Sequence, residues 1–519
     1  MKKAIYLIIA LIGLSAPSCS DSMLDFSPTD SGSGKELLKS ASTAITSVNG
    51  VYRSMWTAGW STTANTHQCF GIAAYNLALD CMADDLIMQS QGNGWFWGDH
   101  CYNVKSNYIS SAFRSYDVWY ANYKWIANVN YIIDAEPEMA GTEADVAYVA
   151  GQAYAIRALC YLNLATWFSR APYNSLTGAS RWNEPCVPVY TTGTSIDTGG
   201  QPRESLRTVY GRIDQDIDRA IELLEKARET TLAENNKSHI NLYVALGIKS
   251  RACLAEGDWD GAFKAAKRVI DEGGYAVGTK SDLTGGMNSL DKQNVMWGAG
   301  IQVADQAGGY AGFFTHMDNK EGAYAKSAPK LISKQLYNRI SATDIRRDWW
   351  DPSDKESPYV SKKFSFANVA SFLGDYIYMR VEEMYFTAAE AALRLDDLKS
   401  ARELMNTVMA ERDPGYSANN RSGTLLGATT TTWTGSFLEN ILTHRRIELW
   451  GEYGRLFDVR RLGQGIDRRT DDGFSEECIS MMNRRNVNIT KADTYDWVLT
   501  IPKAELDANP NINEEDQNP

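Results

Sequence analysis

Two short amphipathic patterns, separated by a two-residue turn, limit the fold more than any other feature of the chain. From Asn241 it reads NLYVALGIKSRACLAEGDWDGAFKAAKRVIDEGGY. Leu242, Ala245, Leu246 and Ile248, then Ala252, Cys253 and Ala255, lie on an apolar face at helical spacing. Gly257-Asp258 makes a tight turn, and Trp259 leads a second pattern with Ala262, Ala265, Ala266, Val269 and Ile270 on one face. Gly273-Gly274 ends it. Small residues at the crossing predict two closely packed helices. Such a hairpin cannot bury its apolar surface alone and needs neighbours of the same kind.

Those neighbours are present. Met379 to Leu395 (MRVEEMYFTAAEAALRL) is followed by Asp396-Asp397, by LKSARELMNTVMAER and by Asp413-Pro414-Gly415. Ala388, Ala389, Ala391 and Ala392 allow close helix approach. Both units resemble a tetratricopeptide repeat. Tyr148 to Phe168 predicts an amphipathic helix that pairs with Leu206 to Arg228 across a Pro- and Gly-bearing connection, 171–204. Asp117 to Ile133 and Ser436 to Leu462 predict further long helices. The expected fold class is mostly α-helical, with helix pairs as scaffold over about 36–275 and 376–462 and little β structure. Residues 276–375 and 463–519 read as irregular. The spacing of the units is uneven, so no regular solenoid is expected.

The chain of 519 residues carries 52 basic and 64 acidic residues, a net charge of −12, which excludes nucleic acid as an expected partner. Five His and eight Cys make a poor metal or disulfide inventory. No H-E-x-x-H, G-x-S-x-G, G-x-x-x-x-G-K-[ST] or G-x-G-x-x-G occurs, so no metal, no cofactor and no catalytic motif is expected. Cys160 and Cys253 fall inside helical patterns and read as small core residues.

The N-terminus reads as an export signal. Met1-Lys2-Lys3 precedes the apolar run Ala4 to Leu14 and the small residues Ser15 to Ser18, so residues 1–18 are expected to be a signal peptide. Cys19 stands where a bacterial lipoprotein signal places its lipidated cysteine, and an ordinary secretory cleavage is the plainer alternative.

The chain is unusually rich in aromatics, with 15 Trp and 27 Tyr. Trp119, Tyr120, Trp125, Trp167, Trp259, Tyr385 and Trp450 lie on helical faces and are assigned to packing. Two clusters sit among glycines instead: Trp95, Phe96 and Trp97 within Gly92 to Asp99, and Trp297, Tyr310, Phe313 and Phe314 within 297–314. Trp95 and Trp97 would face one side of a strand. A sugar ring has apolar C–H faces and a polar edge, so a binding site needs exposed flat rings with amides or carboxylates at the rim. Trp95, Trp97, Trp297 and Tyr310 are the candidate platforms, and Asn93, Asp99, Asn103 and Asp84 the candidate rim. Asp84-Asp85 is also the first candidate for a glycosidase carboxylate pair, against the plainer reading of a turn residue or a hydroxyl acceptor.

Four stretches together resemble the SusD/RagB family of Bacteroidetes outer-membrane lipoproteins: CSDSMLDFSP (19–28), MRVEEMYFTAAEAAL (379–393), THRRIELWGEYGRLFDVRRLG (443–463) and WVLTIPKAELDANPNINEEDQNP (497–519). The resemblance implies a single domain over 19–519 built on four tetratricopeptide-like helix pairs. It implies surface export, lipid anchoring through Cys19 to the outer membrane, and a SusC-like TonB-dependent transporter as partner, on which the lipoprotein closes as a lid. It implies binding of an oligosaccharide without catalysis, with ligand-binding aromatics in the Trp95 and Trp297 regions. A peptide or other nutrient collector of RagB type, and a glycosidase on the same scaffold, stay as alternatives. The alternating charges of the 443–463 helix, with Arg445–Glu448 and Glu452–Arg455 at i,i+3, read as a partly buried ion network that fixes this helix to its neighbours.

Overall fold

The computed structural model describes residues 34–57, 66–103, 113–195, 197–233, 237–303, 311–492 and 494–519. The signal segment, Cys19 and Tyr310 lie outside the described residues. Helices of eight residues or more are α1 Ala41–Ser54, α2 Ile72–Met82, α3 Phe113–Ala135, α4 Glu143–Phe168, α5 Leu206–Lys226, α6 Leu242–Glu256 and α7 Trp259–Glu272, then α8 Val381–Arg394, α9 Leu398–Ala410, α10 Phe437–Glu448, α11 Arg455–Leu462 and α12 Glu476–Arg484. Among the described residues no helix is long and apolar enough to cross a membrane.

The expected hairpins form. Asn241 caps α6 through its side chain, and Asp258 caps α7 by accepting the Gly261 N–H. Ala262, Ala265, Ala266 and Val269 bury the stripe that faces α6. The first-turn backbone of α9 is capped in the same way by Asp397. α3 packs on α4, α4 on α5, and α7 on α8. The last contact joins the two scaffold segments across a hundred residues of intervening chain, with Cys253, Ala262 and Ala391 in one small cluster. The seven described cysteines are buried.

The region expected to be irregular is more ordered than its composition suggests. Strands β1 Leu86–Met88, β3 Lys330–Ile332, β4 Trp350–Asp351 and β5 Val360–Ser361 form one small sheet in the order β1-β3-β5-β4. β2 Val295–Ala299 pairs antiparallel with β6 Tyr376–Arg380, from Val295 opposite Arg380 to Ala299 opposite Tyr376. β6 runs straight into α8, so this hairpin fixes the intervening segment to the scaffold. The C-terminal tail is docked as well. Leu499 N–H donates to Trp167 O at 2.9 Å, and Asn518 Nδ2 donates to Phe168 O at 2.8 Å, where both carbonyls belong to the open end of α4.

The single helix expected over Ser436 to Leu462 is broken. α10 ends at Glu448 and α11 begins at Arg455, with Gly451 at φ +75° and Gly454 at φ +90° between them. These left-handed conformations suit glycine and redirect the chain. The partners of Glu448 and Glu452 therefore come from other elements. Glu448 accepts from Arg380 Nη1 at 3.0 Å, Arg412 Nη2 at 2.9 Å and Arg346 Nη1 at 3.0 Å. Glu452 binds Lys363 and Arg380. Arg445 and Arg461 share Asp458. The network is buried, and it ties α8, α10 and α11 to the β6 end of the hairpin.

Candidate functional site

The segment after β1 carries the glycine-flanked aromatics. Gly92 has φ +51°, and a Cβ there would sit 2.6 Å from the Ser327 carbonyl oxygen, so both the conformation and the close approach require glycine. Phe96 takes a left-handed φ of 60° and buries its ring completely. Its N–H donates to Gln68 Oε1 at 2.7 Å. A helical turn, Trp97–His100, follows in place of a strand, so Trp95 and Trp97 do not share a face. Asp99 ends the segment in a buried bidentate pair with Arg114 of α3, at 2.8 Å to Nε and 3.0 Å to Nη2. Such a fork fixes position as well as charge.

Held between these anchors, Trp95 is half-buried in a stack of rings. Its indole lies parallel to His67, with Tyr324 edge-on at 6.0 Å. His316 packs on Tyr324 at 4.9 Å and donates from Nε2 to the His67 carbonyl at 2.6 Å. Burial holds the His316 imidazole well below its ordinary pKa, so it stays neutral and rigid near pH 7. Asn93, two residues before Trp95, is exposed.

The short helix Ala323–Ser327 that supplies Tyr324 also supplies Lys326 to a polar cleft of about 800 Å³. Asn319, Glu321, Asp354 and Phe366 line the same cleft. Gly92 abuts Ser327, next to Lys326 in sequence. A flat ring suits the apolar face of a sugar, and amide, carboxylate and ammonium groups suit its hydroxylated edge.

The other candidates take different places. Trp97 is buried beside His100. Trp297 is 1% exposed within β2, donates its indole N–H to Ser238 O at 3.2 Å and meets Tyr378 edge-on. Neither offers a ring face, because each fills core volume. Asp99 is consumed by Arg114. Asp84 and Asp85 are buried against Arg446, at 2.9 and 2.6 Å, and both also pair with Arg455. Burial opposes ionisation of Asp84, but the two guanidinium groups bring its pKa to about 2. Burial and the neighbouring Asp84 charge push the Asp85 carboxyl up, and both carboxyls are buried in these ion pairs, so neither stands at an open rim. His67 and Tyr324 were not anticipated. They meet Trp95 only through the fold, and no local spacing announces it.

Comparison with known proteins agrees with this architecture. Residues 326–519 match the model of the SusD family, and residues 45–254 match a model described as starch-binding associating with outer membrane. No curated protein matches the chain. A SusD-like carbohydrate binding protein from Bacteroides vulgatus is 25% identical with a TM-score of 0.72, over 92% of this chain and 98% of that one. A SusD superfamily protein from Bacteroides thetaiotaomicron is 22% identical with a TM-score of 0.72, over 92% and 100%. Surface glycan-binding protein A from Bacteroides thetaiotaomicron, in complex with laminarihexaose, shares the fold at 15% identity and a TM-score of 0.62, over 92% and 99%. Helix pairs, hairpin-closed insertion and docked tail thus coincide with two family models spanning most of the sequence, and the chain belongs to the SusD/RagB family.

Proposed function

We propose that the mature chain, residues 19–519 as one domain, is a cell-surface lipoprotein that captures oligosaccharides and delivers them to a SusC-like TonB-dependent transporter. The observation that carries this reading is Trp95, a half-buried ring stacked on His67 in a glycine-flanked segment. The ligand class is supported by the carbohydrate-binding and laminarihexaose-bound relatives. The location, with anchoring through Cys19, is supported by the outer-membrane association in the matched family description. Binding without turnover is supported by Asp84 and Asp85, whose carboxylates are engaged by Arg446 and Arg455.

Calorimetry of the mature chain against a panel of neutral oligosaccharides tests it. Covering one sugar face on an indole contributes roughly 1–2 kcal/mol, so a site with a few such contacts gives dissociation constants of about millimolar to tens of micromolar. Trp95→Ala then weakens binding. Peptide binding with no glycan binding turns the reading to a RagB-type collector, and release of shortened products overturns the non-catalytic assignment.

A further inference from the structure

Helix α3 carries a second aromatic surface that neither the Trp95 loop nor the Lys326 cleft includes. Tyr116, Tyr120, Tyr123, Ala127 and Tyr131 follow one another at three- and four-residue steps, so they form a strip along the helix. Tyr116 and Tyr120 stack with centroids 5.4 Å apart and 14° between planes. Tyr190 stands perpendicular to Tyr123 at 5.9 Å as an opposite wall, and Glu505 of the tail helix Lys503–Ala508 closes one side. The groove between them holds about 460 Å³, within the range of small-ligand sites.

Partly buried hydrogen bonds fix its walls. The Tyr161 hydroxyl accepts the Tyr190 N–H at 2.7 Å and donates to the Tyr190 carbonyl at 2.8 Å. Arg157, itself paired with Asp216, donates to Thr191 O at 2.8 Å. Tyr123 donates to Pro188 O at 2.8 Å. Glu505 accepts the Trp119 indole N–H at 3.1 Å and Asn509 Nδ2 at 2.8 Å, which fixes the carboxylate and leaves it lone pairs for further donors. Lys124 lies over the Tyr120 ring at 5.4 Å. One cation and one anion, both already engaged, give the groove no preference for a charged ligand. Its offer is flat rings with hydroxyl and carboxylate edges.

We propose that this groove is a second carbohydrate site, for a neutral glycan segment a few rings long. The test uses the mature protein carrying Trp95→Ala, which leaves the groove residues unchanged. Laminarihexaose, maltohexaose, cellohexaose, mannohexaose and xylohexaose are examined by saturation-transfer NMR and calorimetry. The expected result is that at least one still binds, that adding Tyr120→Ala weakens it roughly tenfold, and that Tyr120→Phe, which keeps the ring face, does not. Glu505→Gln also weakens it, and this variant decides the matter if Tyr120→Ala fails to fold. Absence of binding by the Trp95→Ala protein, or binding indifferent to Tyr120 and Glu505, overturns the proposal. Failure of the Trp95 site is seen separately, as an unchanged number of bound glycans per chain when Trp95 alone is replaced.

Discussion

The indole of Trp95 and the imidazole of His67 lie 5.1 Å apart with only 11° between their planes. One face of the indole is thus backed from within, and the ring is fixed before any ligand arrives. A preorganised ring loses little freedom on binding. Trp95→Ala is therefore expected to weaken glycan binding about 5- to 30-fold, the equivalent of one covered sugar face, while costing less than about 2 kcal/mol of stability. Trp297→Ala is the contrast. It empties a buried site and is expected to cost about 3–5 kcal/mol with no direct effect on affinity. Calorimetric titration and urea unfolding of both variants separate the two roles, and an affinity loss confined to Trp297→Ala contradicts the assignment.

Gly92→Ala tests the geometry of the loop. The added methyl meets the Ser327 carbonyl at 2.6 Å and the Ala328 Cβ at 2.8 Å, on a backbone of φ +51°. Either the loop or the Ala323–Ser327 helix must move, and Tyr324 moves with that helix. The expected loss is roughly 1–3 kcal/mol of stability together with weaker glycan binding. Unchanged binding at full stability means that the stack does not depend on this contact.

Asp99→Asn tests the other anchor. The amide cannot match the Arg114 guanidinium, and the nearest remaining carboxylate, Asp117, is 4.0 Å away. Leaving a buried charge without its partner costs about 3–5 kcal/mol. Because Asp99 closes the Trp95 segment, affinity measured well below the melting temperature is also expected to fall. Intact affinity in a destabilised variant assigns the pair to stability alone.

The helix pairs were legible because their signals are local: a stripe of alanines at i, i+3, i+4, an Asp cap, a terminal glycine. The break between Glu448 and Arg455 was also written in Gly451 and Gly454, but the strong charge periodicity on either side masked it. Trp297 was misread for a different reason. Glycines beside it suggested a loop, whereas Gly298 and Ala299 lie in an edge paired with β6, and that pairing joins residues about eighty positions apart. The same applies to Asp84 and Asp85, whose guanidinium partners are more than 360 residues away. For Trp95 and Asn93 the glycine flanks pointed correctly to an accessible segment. The stack beneath, built from His67, Tyr324 and His316, depends on tertiary contacts that no single-sequence periodicity records.

The ion network makes a prediction about acid. Burial disfavours the charged form of Glu448, but Arg412, Arg380 and Arg346 outweigh it and hold the carboxyl well below its ordinary value. A carboxyl depressed in the folded state binds fewer protons folded than unfolded. The stability it contributes is therefore complete above the unfolded value of about 4.3 and is lost as the pH falls toward the folded one. Glu448→Gln leaves three buried guanidinium groups short of a counter-charge and is expected to cost about 3–5 kcal/mol at pH 7. Below about pH 4 that gap should narrow by roughly 1.4 kcal/mol per pH unit, because wild type loses its ionic advantage and the amide has none to lose. Urea unfolding of both proteins between pH 3 and 7 measures the gap directly. A gap that stays constant across this range places the stabilisation in packing and hydrogen bonding, and the charge on Glu448 then contributes nothing to it.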